Sequence, residues 1–257
     1  VRRGLARSRQ QAAELIGAGL VSVDGMPAAK PATAVAVTAN ITVTAGERTW
    51  VSRGAHKLIG ALDTFAIDVG GRRCLDAGAS TGGFTEVLLD RGAEEVVAVD
   101  VGYGQLAWSL RSDDRVVVIE RTNVRELTAE AISGTVDLVV ADLSFIALAT
   151  VLPALTACAS PDADIVPMVK PQFEVGRERV GAGGVVSDPQ LRAESVLSVA
   201  ARAAALGWHT VGVTASPLPG PSGNVEYFLR LRARTDAALH GDDLDQAVHR
   251  AVTEGPQ

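Results

Sequence analysis

The sequence predicts an α/β protein: a parallel sheet with helices on both faces, preceded by a small basic module of mixed α+β type. Three observations carry this. From about Gly71, short apolar runs alternate with helix-length segments. Those runs are apolar without alternation, the pattern of strands buried on both faces. Aromatic residues make up only 4% of the chain against 47% hydrophobic residues overall, so the interior is built from Ala, Val, Leu and Ile. The 257 residues suffice for one large or two modest domains.

The formal charge of −6 is unevenly spread. Residues 1–60 carry eight Lys or Arg against three acidic residues, a net +5, which leaves −11 for the rest. A basic head on an acidic body suggests that the head meets a polyanion; a solvated basic face is the plainer alternative. Cys74 and Cys158 are too few for a disulfide framework or a thiolate metal cluster. No metal site is therefore expected, and a reducing, cytoplasmic compartment is. The chain opens on Val1 rather than Met, so its natural start is expected upstream, and no signal peptide is read at this end. The uncharged stretch 143–161 is long enough to consider a membrane span, but Pro153 interrupts it. It reads instead as two short elements joined end to end.

In the head, Ser8-Arg9-Gln10-Gln11 is a capping-box pattern. Ala12, Ala13, Leu15 and Ile16 give a short apolar face, and Gly17 and Gly19 end the helix. Val21-Ser22-Val23 leads into Asp24-Gly25, a strong hairpin turn. The alternating run Val35, Val37, Ala39, Ile41 and Val43 predicts a half-buried strand. Arg7 and Arg9 stand at the helix start, where free N–H groups favour phosphate. Gly4-Leu5-Ala6-Arg7-Ser8-Arg9-Gln10-Gln11-Ala12 and Val21-Ser22-Val23-Asp24-Gly25 resemble the small RNA-binding domain of ribosomal protein S-four. The resemblance implies that Arg7, Arg9 and Lys30 touch RNA backbone, contacts that give affinity and orientation rather than sequence choice. It also implies a first helix beginning before Val1.

In the body, strands are predicted at Arg73–Leu75, Val96–Val99, Val116–Ile119, Leu138–Ala141, Ile165–Val169, His209–Val213 and Val225–Leu231. The clearest helix takes Asp188 as N-cap and Pro189 as its first residue, repeats Val196, Val199, Ala203 and Leu206, and stops at Gly207. Ligands of such sheets bind beyond the carboxyl ends of the strands.

The first of these strands runs into Leu75-Asp76-Ala77-Gly78-Ala79-Ser80-Thr81-Gly82-Gly83-Phe84, where glycines permit a sharp turn and close approach to a ligand. Asp100 closes the second strand, where such sites place a carboxylate on ribose hydroxyls. The spacing is not the G-x-G-x-x-G of a dinucleotide site, and Asp76 suits a cationic group better than a diphosphate. S-adenosylmethionine, with an ammonium, a sulfonium and no phosphate, fits better. Gly78-Ala79-Ser80-Thr81-Gly82 also matches a hydrolase nucleophile elbow, with Asp142 and His209 following in order. Against this, no oxyanion motif precedes it, and Asp76 would burden an oxyanion.

Four residues are candidates for chemistry. Asp142 and Lys170 end the fourth and fifth strands, and Glu226 opens the last, at the same edge if that strand is antiparallel. Lys57 begins the helix leading into the body. The chain has only three lysines, Lys30, Lys57 and Lys170, against 21 arginines, so two of these four points keep the cation that can lose its proton. Two structural ion pairs are the plain alternative. Lys, Asp, Lys and Glu in this order resemble the tetrad of FtsJ-like RNA 2′-O-methyltransferases. With the head, the segment Glu47-Arg48-Thr49-Trp50-Val51-Ser52-Arg53-Gly54, Asp142-Leu143-Ser144-Phe145-Ile146 and Val169-Lys170-Pro171-Gln172-Phe173-Glu174, the whole chain is similar to the TlyA family of rRNA cytidine-2′-O-methyltransferases, also called haemolysins. Thr49 stands where the family usually has Ala.

The resemblance implies a Rossmann-like S-adenosylmethionine-dependent methyltransferase over 55–257, a linker at 47–54 and an RNA-binding domain at 1–46. The implied reaction is ribose methylation of cytidine in 16S and 23S rRNA, within ribosomal subunits and by a monomer. Lys170 is the expected general base, with Asp142 and Glu226 orienting the lysines and Lys57 stabilising the developing alkoxide. Asp76, Gly78, Ser80, Thr81, Gly82, Gly83 and Asp142 are expected to line the cofactor seat, Asp100 to hold its ribose and Asn123 its adenine. A membrane-active haemolysin, or an RNA-binding protein without ribose methylation, is the alternative, and no clean span or basic amphipathic helix supports the first.

Overall fold

The computed structural model describes residues 1–256 apart from 7, 18, 29 and 44–49, and divides into compact units at Val1–Thr49 and Trp50–Gln257. The expected linker 47–54 is split by this boundary. Residues 47–49 lie outside the described residues, whereas 50–54 belong with the body.

In the head, α1 (Arg9–Gly17) begins just after Ser8, whose carbonyl accepts from Ala12 N at 3.0 Å. The helix is followed by β1 (Val21–Val23), β2 (Met26–Pro27) and β3 (Ile41–Val43), an antiparallel sheet of order β2-β1-β3. Asp24 and Gly25 both take positive φ, 50° and 84°, the hairpin geometry their sequence demands. The Asp24 carboxylate also accepts from Asn40 N at 2.7 Å. The strand expected from Val35 is a strand only over Ile41–Val43, because β1 offers three residues to pair with.

The body holds α2 (Gly54–Thr64), β4 (Arg73–Ala77), α3 (Gly83–Asp90), β5 (Glu95–Val99), α4 (Trp108–Arg111), β6 (Val116–Ile119), β7 (Val136–Ala141), α5 (Leu148–Cys158), β8 (Ala159–Val169), α6 (Pro171–Glu174), α7 (Pro189–Ala204), β9 (His209–Ala215), β10 (Tyr227–Arg232) and α8 (Gly241–Glu254). The sheet order is β6-β5-β4-β7-β8-β10-β9, with only β10 running against the others. All seven predicted strands are present, the last beginning at Tyr227 rather than Val225, so that Glu226 immediately precedes it. Side chains alternate between two buried layers. Leu75, Val97, Val139 and Ile165 face one core with α5, α7 and α8, while Cys74, Val96, Val140 and Met168 face the other with α2 and α3. Continuous apolar runs are what a sheet covered twice requires.

The stretch 143–161 resolves into a loop, α5 and the start of β8, and no helix among the described residues is long and apolar enough to cross a membrane. β8 begins six residues earlier than its apolar run, and this lower part carries Asp164, which is 1% exposed. Arg72 and Arg230 hold its carboxylate at 2.9 and 2.8 Å. Their hydrogen bonds and charges keep it below the usual carboxylate range against the opposing effect of burial. In α7, Asp188 caps by accepting from Gln190 N at 2.8 Å, and Gly207 at φ 80° ends the following turn.

Candidate active site

The parallel strands deliver their carboxyl ends to one edge, and the turn from β4 into α3 curls over it. Gly78 N and Ala79 N both donate to the Val99 carbonyl, at 2.8 and 3.1 Å, tying the turn to the end of β5. Gly78 has φ 88°, and a Cβ there would stand 2.5 Å from the Asp142 carbonyl oxygen. The close approach that excludes a side chain is thus to the end of β7. At Gly82, φ 99°, the same space is filled by Leu106 and Leu110. This glycine has a packing reason in addition to any ligand. Ser80, at φ 48°, and Thr81 are exposed on the turn, and Gly83 opens α3.

Three carboxylates surround this turn. Asp76 is fully buried. Its Oδ2 accepts from Thr85 Oγ1 at 2.7 Å, and its Oδ1 has no partner among the described residues. Burial pushes its carboxyl up to about 7, helped by the charges of Asp142 and Asp100 and opposed by the Thr85 hydrogen bond. Asp100 accepts from Ser80 N at 2.8 Å and from Gly102 N at 2.6 Å, so it shapes the turn as well as facing the edge. Asn123 lies beyond β6, where its side chain accepts from Arg125 N at 3.1 Å and caps a short turn. A negatively charged rim with an orphaned buried oxygen suits a cationic ligand and repels a diphosphate. The residues present fit S-adenosylmethionine.

Beside the turn stand two ion pairs, one buried on both sides and one with its carboxylate partly open to solvent. Lys170 follows β8 and meets Asp142, which follows β7, at 2.6 Å; its Nζ also donates to Ser144 Oγ at 3.0 Å. Lys57, in the first turn of α2, meets Glu226 at 2.5 Å. Tyr227 of β10 pairs with Val169 of β8, so Glu226 and Lys170 are successive positions at the same edge, as the antiparallel reading required. Both lysine side chains are 9% exposed and Glu226 is 1% exposed. Charges this deep are tolerated because each has an opposite partner. All four residues, distant in sequence, come together with the glycine turn.

Ser144 and Thr85, which hydrogen-bond Lys170 and Asp76, carry no sequence signal of their own beyond lying within a few residues of Asp142 and Gly83. The segment 50–54 also bears on the site: Val51 N donates to Glu86 Oε2 of α3 at 2.7 Å. His209 opens β9, which runs parallel to β4, so it lies at the edge opposite Ser80, and the hydrolase arrangement does not form. In the head, Arg9 and Lys30 are exposed, and Arg7 lies outside the described residues. Among the described residues there is no group of three or more His, Cys, Asp or Glu able to hold a metal ion.

Fold and edge together are those of a Rossmann-like methyltransferase. Comparison with known proteins narrows the class. The FtsJ-like methyltransferase family matches residues 50–233, and an S4 domain matches residues 1–41. The chain is 77% identical over 257 residues to the 16S/23S rRNA (cytidine-2′-O)-methyltransferase TlyA of Mycobacterium tuberculosis, covering 100% of this chain and 96% of that one. It is 38% identical to Hemolysin A of Brachyspira hyodysenteriae over 88% of this chain and 94% of the other. A solved hemolysin-type structure from Streptococcus thermophilus aligns with TM-score 0.75 at 36% identity, over 98% of this chain and 93% of that one. The chain belongs to the TlyA family of FtsJ-like methyltransferases.

Proposed function

We propose that the chain transfers the methyl group of S-adenosylmethionine to the ribose 2′-OH of cytidine in the rRNA of both ribosomal subunits, acting in the cytoplasm. The observation that carries this is the pair of lysine–carboxylate contacts, Lys170–Asp142 and Lys57–Glu226, whose lysines are both buried at the edge that holds the glycine turn. The cofactor, when bound, supplies an electrophilic methyl group on a positively charged sulfur. A ribose hydroxyl is a poor nucleophile, so the protein has to orient it and remove its proton. Lys170, having first released its own ammonium proton to solvent, takes that proton. Asp142 holds the amine in place and steadies the ammonium that results. Lys57, fixed by Glu226, stabilises negative charge developing on the ribose oxygen. Asp76, Asp100 and Asp142 give the seat a charge complementary to a cationic donor, and Gly78, Ser80, Thr81, Gly82 and Gly83 shape its turn. Asn123, just beyond β6, is assigned to the adenine, and Arg7, Arg9 and Lys30 of the head to the RNA backbone.

The test is mass spectrometry of nucleosides from ribosomal subunits incubated with the protein and isotope-labelled S-adenosylmethionine. Ribose-methylated cytidine is expected from both subunits, and none from K170A with its cofactor affinity intact. Label on nucleobases, or wild-type transfer by K170A, would overturn the reading.

A further inference from the structure

We propose that Ser144 is a positioning residue that aims the lone pair of Lys170 at the substrate hydroxyl. The inference rests on the reading of Lys170 as general base. Among the described residues, the Lys170 Nζ has two partners, Asp142 Oδ1 at 2.6 Å and Ser144 Oγ at 3.0 Å. A neutral amine has two N–H bonds and one lone pair. With both N–H groups donated, one to the carboxylate and one to the hydroxyl, the lone pair has a single remaining direction. With Asp142 alone the second N–H and the lone pair could exchange between the two remaining tetrahedral directions of the nitrogen. Ser144 removes that freedom.

The loops carrying the two residues are themselves joined. Phe145, next to Ser144, takes the left-handed conformation at φ 64°, and its ring lies 5.2 Å from that of Phe173 on α6, which begins directly after Lys170. On the other side of the same loop, Leu148 N donates to Glu174 Oε1 at 2.8 Å. Two independent contacts thus hold the 142–148 segment against the 170–174 segment. The separation of Ser144 Oγ from Lys170 Nζ is therefore set by the fold.

In the transfer, the ribose oxygen forms a bond to the methyl carbon as the carbon–sulfur bond breaks, its electron pair going to sulfur and cancelling the sulfonium charge. The hydroxyl proton passes to the Lys170 lone pair and gives an ammonium. That ammonium keeps its hydrogen bonds to Asp142 and Ser144, so nothing has to reorganise.

S144V and S144T test this, because Val and Thr have the same shape and differ by the hydroxyl. With ribosomal subunits and labelled S-adenosylmethionine, kcat of S144V is expected to fall between about tenfold and a hundredfold, the effect of a misdirected reacting group. Cofactor affinity by calorimetry should be unchanged, and S144T should recover most of the loss. A second readout needs no turnover. The chain has three lysines, so its side-chain ¹⁵N spectrum is simple, and the Lys170 signal is assigned by its absence from K170A. Its N–H protons should exchange with water faster in S144V than in the parent or in S144T. Parent kcat and parent exchange in S144V, or S144T no better than S144V, would overturn the proposal. If K170A itself turned over normally, the base reading would fall as well. If K170A is inactive while S144V matches the parent, only the role of Ser144 falls.

Discussion

Asp76 carries an unusual electrostatic load for one side chain: it is fully enclosed, has one oxygen without a partner among the described residues, and sits near two other carboxylates. Its folded-state value of about 7 lies above the ordinary 3.8, so the folded chain holds this proton more firmly than the unfolded one. The associated stability is complete below about pH 4 and is lost as pH rises through about 7, by roughly 4 kcal/mol at most. Cofactor-free protein is therefore expected to lose stability over that interval, and D76N to lose much less of it, as measured by urea unfolding across the pH range. A cation seated beside the carboxylate stabilises its ionised form. Affinity for S-adenosylmethionine should accordingly rise with pH through the same interval in the parent and stay flat in D76N. Asp76 was singled out in the sequence for its place before the glycine turn, but its burial and its Thr85 partner come from α3 packing back on β4.

The β4–α3 turn behaves as one element, and Gly78 shows why. A side chain at φ 88° is strained wherever it is placed, and here its Cβ would also strike the Asp142 carbonyl. Gly78→Ala is expected to cost roughly 1–3 kcal/mol of stability and to abolish measurable cofactor binding, since the turn and the end of β7 must move apart. Calorimetry and denaturation on the same sample separate the two effects; full cofactor affinity in G78A would refute the claim. The strands themselves were legible because each is an apolar run buried on both faces. The lower half of β8 was not. Asp162 and Asp164 interrupt its pattern, and Asp164 is affordable inside only because Arg72 and Arg230 reach it from elements 92 and 66 residues away. In the head, period-two alternation predicted a strand from Val35, but backbone pairing is limited by the length of the partner strand.

The two units of the whole molecule differ in charge. Val1–Thr49 carries six Lys or Arg against three acidic residues, a net +3, and the remainder carries −9. An acidic catalytic body repels RNA at long range, so the basic head has to supply the attraction, and attraction of that kind is released by salt. R9A/K30A is expected to weaken binding to ribosomal RNA and to lower the slope of log affinity against log salt by about two. Its kcat at saturating RNA should stay at the parent value. Binding titrations at several salt concentrations, with turnover on the same preparations, check both. An unchanged slope would remove Arg9 and Lys30 from the RNA surface.

By itself the sequence determined the fold class with its small head and the sheet, and it pointed to the glycine turn and to Lys57, Asp142, Lys170 and Glu226 as candidates, because strand ends and residue chemistry are local properties of the chain. Tertiary structure alone decided which lysine meets which carboxylate, that Asp76 is sealed from water, and that Ser144 lies within a hydrogen bond of Lys170. Those depend on strand order and on one antiparallel strand inserted beside β8, and no local pattern encodes the distance between residues that only the folded sheet brings side by side.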